Sequence, residues 1–131
     1  MLLNNGHGVK DKLLLIMTQE DRTLLLKDLS ARLPYGVKVR TSVGGEIRND
    51  KETLNFAQLS LFEAGHEEIK PYLFPLESMT EEQEKEEYEI CKGYLIGYES
   101  KLIDFYHKNH FDYRGLIEKG LAIDCTNLNI Y

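Results

Sequence analysis

The stretch TQEDRTLLLKDLSARLPYGVKVR, Thr18 to Arg40, carries a helix, its terminator and the opening of a strand, so its reading decides the class of fold. Thr18 has the hydroxyl of an N-cap, and Glu20 and Asp21 place negative charge in the first turn, where the helix dipole favours it. Leu25, Leu26, Leu29 and Leu33 recur at helical spacing, with Arg22, Lys27, Asp28 and Arg32 elsewhere around the wheel. Pro34 stops the helix, and Tyr35-Gly36 turns the chain. From Val37 the period drops to two. Val37 and Val39 alternate with Lys38 and Arg40, the pattern of a half-buried strand.

Farther along, Gly44-Gly45 marks a turn, Ile47 falls in a short strand, and Asn49-Asp50 signals another turn. Leu54 and Phe56 alternate again, while Leu59, Leu61 and Phe62 continue the apolar supply. The simplest arrangement is a small antiparallel meander of three or four strands, with a helix over 56–62 as the alternative. Pro71 and Pro75 bracket Tyr72-Leu73-Phe74, which predicts an extended connector draped over the core rather than a central strand. Thr80 and Gln83 have the spacing of a capping box. Behind them Tyr88, Cys91, Leu95, Tyr98, Leu102 and Phe105 form one seam at alternating three- and four-residue steps, so a long helix is expected. Gly93 and Gly97 interrupt it at about 1 kcal/mol each relative to Ala; either another backbone approaches closely there, or the helix bends or breaks. Asp112 can cap a short helix that ends near Gly120, followed by an extended tail carrying Leu121, Ile123, Leu128 and Ile130. The expected architecture is α+β: an N-terminal helix and a long C-terminal helix packed on a small antiparallel β-meander.

At 131 residues the chain suits one domain that buries a core without disulfides or metal. Leu13-Leu14-Leu15-Ile16-Met17 is too short to span a membrane or to form the apolar centre of an export signal. Because a strong helix start follows Met17 at once, residues 1–16 read as an N-terminal extension upstream of a natural start at Met17, with 17–131 as the domain. If the extension is native, Leu13 to Met17 adds a strand or pre-helix segment. Cys91 and Cys125 lack CxxC spacing; a buried free thiol at Cys91 and a reducing cytoplasm fit best. The net charge of −6 argues against a phosphate-neutralising surface, so neither nucleic acid nor membrane is an expected partner.

Candidates for chemistry are few. Asp104, His107 and His110 stand at i, i+3 and i+6, and two imidazoles with a carboxylate could ligate a metal. Zinc takes three or four converging ligands, however, and neither an HExxH motif nor a cysteine cluster is present. The simpler reading is histidines placed favourably near a helix C-terminus, with no metal or cofactor expected. Asp112-Tyr113-Arg114 could hold an anion on Arg114, yet an N-cap at Asp112 and an Arg114–carboxylate pair explain the same residues without a ligand. Nothing places either thiol beside a base. The acidic run from Glu81 to Glu89 reads as a helix start and a solvated face. Tyrosines are more suggestive, because a phenol joins apolar area to a polar tip. Tyr94, Gly97, Tyr98 and Tyr106 form the candidate surface for a protein partner or for self-association.

The blocks Ile69-Lys70-Pro71-Tyr72-Leu73 and Ser78-Met79-Thr80-Glu81-Glu82 stand out as motifs, as does Asn109-His110-Phe111-Asp112-Tyr113-Arg114-Gly115-Leu116-Ile117 with its following Gly120-Leu121-Ala122. Together with Ala31-Arg32-Leu33-Pro34-Tyr35-Gly36-Val37-Lys38-Val39 near the start, they resemble a recurrent group of small uncharacterised proteins of intestinal anaerobic bacteria, their phages and related mobile elements. The resemblance covers residues 17–131; in that group both ends recur, the middle varies, and members usually begin at the position of Met17. It implies a setting and carries no activity. The expectation is a non-enzymatic accessory protein that binds another protein. The alternatives are an acidic mimic that inhibits a nucleic-acid-handling or defence protein, and a small metal-dependent enzyme built on Asp104, His107 and His110.

Overall fold

The computed structural model describes residues 17–92 and 97–131. Helix α1, Gln19–Arg32, starts where its cap places it, with the Asp21 N–H donating to the Thr18 hydroxyl at 3.0 Å. A 3-10 turn over Leu33–Tyr35 follows and ends at Gly36, whose φ of +73° suits a residue without Cβ. Strand β1, Lys38–Val43, pairs antiparallel with β2, Glu46–Thr53, across Gly44-Gly45. The turn expected at Asn49-Asp50 does not form, and both residues lie inside β2. There the register slips and Lys51 adopts φ +59°, so the turn-forming residues are accommodated as a bulge.

After β2 the chain forms a helix, not another strand. Helix α2, Phe56–Glu63, opens with a reciprocal cap: the Gln58 N–H donates to the Asn55 side chain at 2.8 Å, and the Asn55 N–H donates to the Gln58 side chain at 3.1 Å. That cap decides the two readings of 56–62 and breaks up the meander.

Strand β3, Glu68–Pro75, corrects the reading of its prolines, because it is central. It pairs antiparallel with β1 from Glu68 to Pro71, and parallel with β4, Phe111–Asp112, and β5, Ile123–Asp124, from Tyr72 onward. The sheet is therefore mixed, in the order β2-β1-β3-β4, with β5 also on β3. The Leu73 C=O accepts from the Cys125 N–H at 2.9 Å on one side, while the Phe74 N–H donates to the His110 C=O at 2.8 Å on the other. By strand alternation the Pro71 nitrogen faces the Cys125 side, where pairing begins only at Tyr72. Its missing N–H interrupts no ladder bond, and Pro75 is the last residue of the strand.

The capping box forms as read, with Gln83 N–H to Thr80 hydroxyl at 3.1 Å and Thr80 N–H to Gln83 side chain at 2.9 Å, and it opens α3, Glu81–Lys92. A single long helix does not follow. Helix α4, Tyr98–Lys108, starts afresh after Gly97, whose φ of +94° no right-handed helix accepts. It returns along α3: the Tyr106 hydroxyl donates to Glu87 at 2.6 Å, and Lys108 pairs with Glu86 at 3.8 Å. The seam is thus folded into an antiparallel hairpin. Cys91 is half-buried rather than buried, because α3 contributes no fully buried residue.

Past β4 the expected short helix is a capped turn. Asp112 accepts from the Leu116 and Ile117 N–H groups at 2.9 Å each, and bonds from Gly120 to Ile117 and from Leu121 to Leu116 close the turn at Gly120, φ +76°. In the tail Leu121 is buried and Leu128 exposed. Leu25 and Leu29 of α1, Leu59 and Phe62 of α2, Val39 of β1, and Ile69 and Leu73 of β3 meet in one apolar core. Among the described residues no helix is long and apolar enough to cross a membrane. The run Leu13 to Ile16 lies outside the described residues.

Gly97 gives a test of the helix break by sign. In a helix interior, Gly97→Ala would stabilise the protein by about 1 kcal/mol. At φ +94°, with nothing within 4 Å of the added methyl, it should instead destabilise by about 1 kcal/mol in urea denaturation.

Candidate functional site

Leu25, Asp28, Leu29 and Arg32 follow the i, i+3, i+4, i+7 pattern of one helix face, and all four are buried; Asp28 and Arg32 are each 0% exposed. Arg32 Nε donates to Asp28 Oδ2 at 2.8 Å, and its Nη2 donates to the Phe111 C=O at 2.7 Å. Arg114 Nε takes the other carboxylate oxygen, Asp28 Oδ1, at 3.0 Å. One buried carboxylate therefore serves two guanidiniums, one on its own helix and one 86 residues away. Both guanidiniums also lie over the Tyr113 ring, at 5.4 Å and 4.9 Å from its centroid.

The cluster continues through aromatic and imidazole groups. The Tyr113 hydroxyl meets His107 Nε2 at 2.8 Å, and Tyr106 stacks on the Tyr113 ring with centroids 5.3 Å apart. Burial, reinforced by the Arg32 charge, holds His107 below the usual imidazole range, so the ring is neutral at pH 7. Burial likewise raises the Tyr113 phenol. Asp28, His107 and Tyr113 each face a partner within the cluster, while Arg32 Nη1 is buried without a hydrogen-bond partner among the described residues. Burial pushes the Cys125 thiol up to about 12, far from the thiolate a nucleophile needs.

The residues singled out from sequence do not converge. Asp104 accepts from the Tyr35 hydroxyl, His107 faces Tyr113, and His110 stacks on Tyr131 with ring centroids 3.7 Å apart. Among the described residues no group of three or more His, Cys, Asp or Glu side chains could hold a metal ion. Asp112 caps backbone N–H groups and Arg114 pairs with Asp28, so the anion reading of that segment gives way to capping and an ion pair. Of the candidate partner surface, Tyr94 lies outside the described residues. Gly97 is the left-handed residue before α4, Tyr98 opens that helix half-buried, and Tyr106 is engaged by Tyr113 and Glu87. Tyr106 is thus a packing residue.

No protein family, curated protein or solved structure matches the chain.

Two features escaped sequence reasoning. Asp28 and Arg32 are buried on the core side of α1, and their four-residue spacing, in step with Leu25 and Leu29, is the sequence signal of that buried pair. The second is the outer face of α2. Leu59, Phe62 and Gln58 point inward, and Arg22 lies 4.8 Å over the Phe62 ring while donating to the Phe62 C=O at 2.8 Å. Phe56, Ala57, Ser60, Leu61 and Ala64 are left exposed, with Phe56 at 74%. The absence of any charge between Phe56 and Phe62 was the signal for this one.

Removing the Asp28 charge leaves Arg32 buried without a counter-ion. Asp28→Asn should cost about 3–5 kcal/mol in denaturant unfolding, and Arg114→Ala about 1 kcal/mol, because Arg114 reaches solvent and Arg32 keeps its partner.

Proposed function

We propose that this is a non-enzymatic accessory protein that binds another protein through the outer face of α2. The exposure of Phe56 carries the reading. An ordinary surface helix turns polar residues outward, but α2 presents Phe56, Ala57, Ser60, Leu61 and Ala64, with Glu63 its only charge. A phenylalanine left in water forgoes about 1.5–3 kcal/mol of burial, which a partner can recover. Aromatic anchors of this kind supply much of the energy of protein interfaces. The cap at Asn55 and the Arg22–Phe62 contact hold the helix in place, which keeps the entropy lost on binding small.

The partner this face fits presents an apolar, uncharged groove. A phage or mobile-element setting, implied by the resemblance of the terminal blocks, belongs to the same proposal. An acidic mimic has less support. Six glutamates lie on α3, but Glu86 pairs with Lys108, Glu89 with Lys92, and Glu87 accepts from Tyr106. The remaining Glu81, Glu82 and Glu84 sit in the first turn, where the helix dipole accounts for them.

Affinity capture from host cells with wild type and with the Phe56→Ser/Leu61→Ser variant, read by mass spectrometry, tests the proposal. The wild type should enrich at least one protein about tenfold over the variant, with urea stability unchanged within about 0.5 kcal/mol. Identical capture by both proteins contradicts it.

A further inference from the structure

Tyr131 fills a gap in the sheet. The β1–β3 register ends at Val39 opposite Pro71. One pair further on, Lys38 and Tyr72 are joined through the Tyr131 hydroxyl, which accepts from the Lys38 N–H at 2.7 Å and donates to the Tyr72 C=O at 2.8 Å. The phenol ring lies against the His110 imidazole, with centroids 3.7 Å apart and planes 13° from parallel, and Phe74 flanks it at 5.9 Å. His110 is held at φ +61°, and its Nδ1 is buried with no partner among the described residues. Between Cys125 and this anchor, residues 126–129 are exposed. Their hydrogen bonds are local, from the Leu128 N–H to the Cys125 C=O and from Thr126 to the Asp124 carboxylate. The stack and the hydroxyl bridge therefore hold the far end of the segment.

We propose that Thr126–Tyr131 is a strap that opens when His110 takes up a proton, uncovering the end of the β1–β3 pairing at Lys38 and Tyr72. The Tyr131 phenol of the strap stacks on the imidazole, the charges of Arg32 on α1 and Lys38 on β1 act on it, and from β3 the Phe74 N–H donates to the His110 C=O. The charged groups acting on the ring are thus both cations. Burial first, and then those cations, push His110 down to about 4, so the ring is neutral at pH 7. A proton arriving there must be hydrated. Moving Arg32 away would break its bonds to Asp28 and Phe111, whereas releasing the strap gives up one stack and two hydroxyl bonds, so local opening is the easier response. In the open state the imidazole titrates near its ordinary value of about 6.5. The closed strap accordingly keeps its full stability above about pH 6.5 and loses it progressively as pH falls to about 4.

NMR of the full chain between about pH 7.5 and 3.5, following the His110 ring proton and backbone amides, tests the strap. The Lys38 amide and the amides of residues 127–131 should shift together with the His110 ring proton, while those of Leu25 and Leu29 stay in place. In His110→Asn, a residue that tolerates the left-handed conformation, the stack and the titrating ring are both lost, and the Lys38 amide should cease to respond to pH. In Tyr131→Phe it should sit near the acid position at every pH and cease to respond. A Lys38 amide indifferent to His110 titration overturns the proposal, as does a response retained in either variant. One cooperative collapse of all amides overturns it too.

Discussion

The Asp28 carboxylate is the constraint on which the rest of the structure depends. Its two oxygens take Arg32 from the same helix and Arg114 from the far end of the chain, and Arg32 goes on to the Phe111 C=O. Replacing such a pair by matched apolar side chains is often neutral or stabilising, whereas breaking it leaves a bare charge in the interior. Its contribution is therefore mainly selectivity: in this docking of α1 against the Phe111–Arg114 segment, one carboxylate meets both guanidiniums. That docking sets β4 beside β3 and leaves Asp112 to cap the next turn.

Where a signal is local, the sequence was legible. Thr18, Pro34-Gly36, the Val37/Val39 alternation and the Thr80/Gln83 box each formed as read, because cap and turn chemistry involves only neighbouring residues. Where the outcome depends on distant partners it was not. The prolines of β3 looked prohibitive until the edge faced by Pro71 was known, and that edge is fixed by Cys125 and His110. The seam from Tyr88 to Phe105 has correct helical spacing, but spacing does not reveal that Gly97 adopts a left-handed conformation. The charges of Asp28 and Arg32 concealed that both stand on the buried face of α1.

The same physics gives Asp104, His107 and His110 separate partners. Burial makes His107 and His110 neutral, but each ring is committed to an aromatic neighbour, and Asp104 is taken by Tyr35. Tyr106, which looked like surface, is drawn in once α4 folds back on α3. An uncharged apolar face remains exposed on α2, where Phe56 is the most open large apolar side chain among the described residues. The reciprocal cap that made this segment a helix is also what projects Phe56 into solvent, so one local interaction links the largest departure from the expected fold to the surface proposed for binding.

A double-mutant cycle with Asp28→Leu and Arg32→Met, each variant measured by urea unfolding, tests the central claim most directly. If the buried pair selects the docking of α1, each single change costs about 3–5 kcal/mol, while the double variant recovers much of that loss, giving a coupling of about 2 kcal/mol or more. Additive costs, with the double variant as unstable as the sum of the singles, would contradict it.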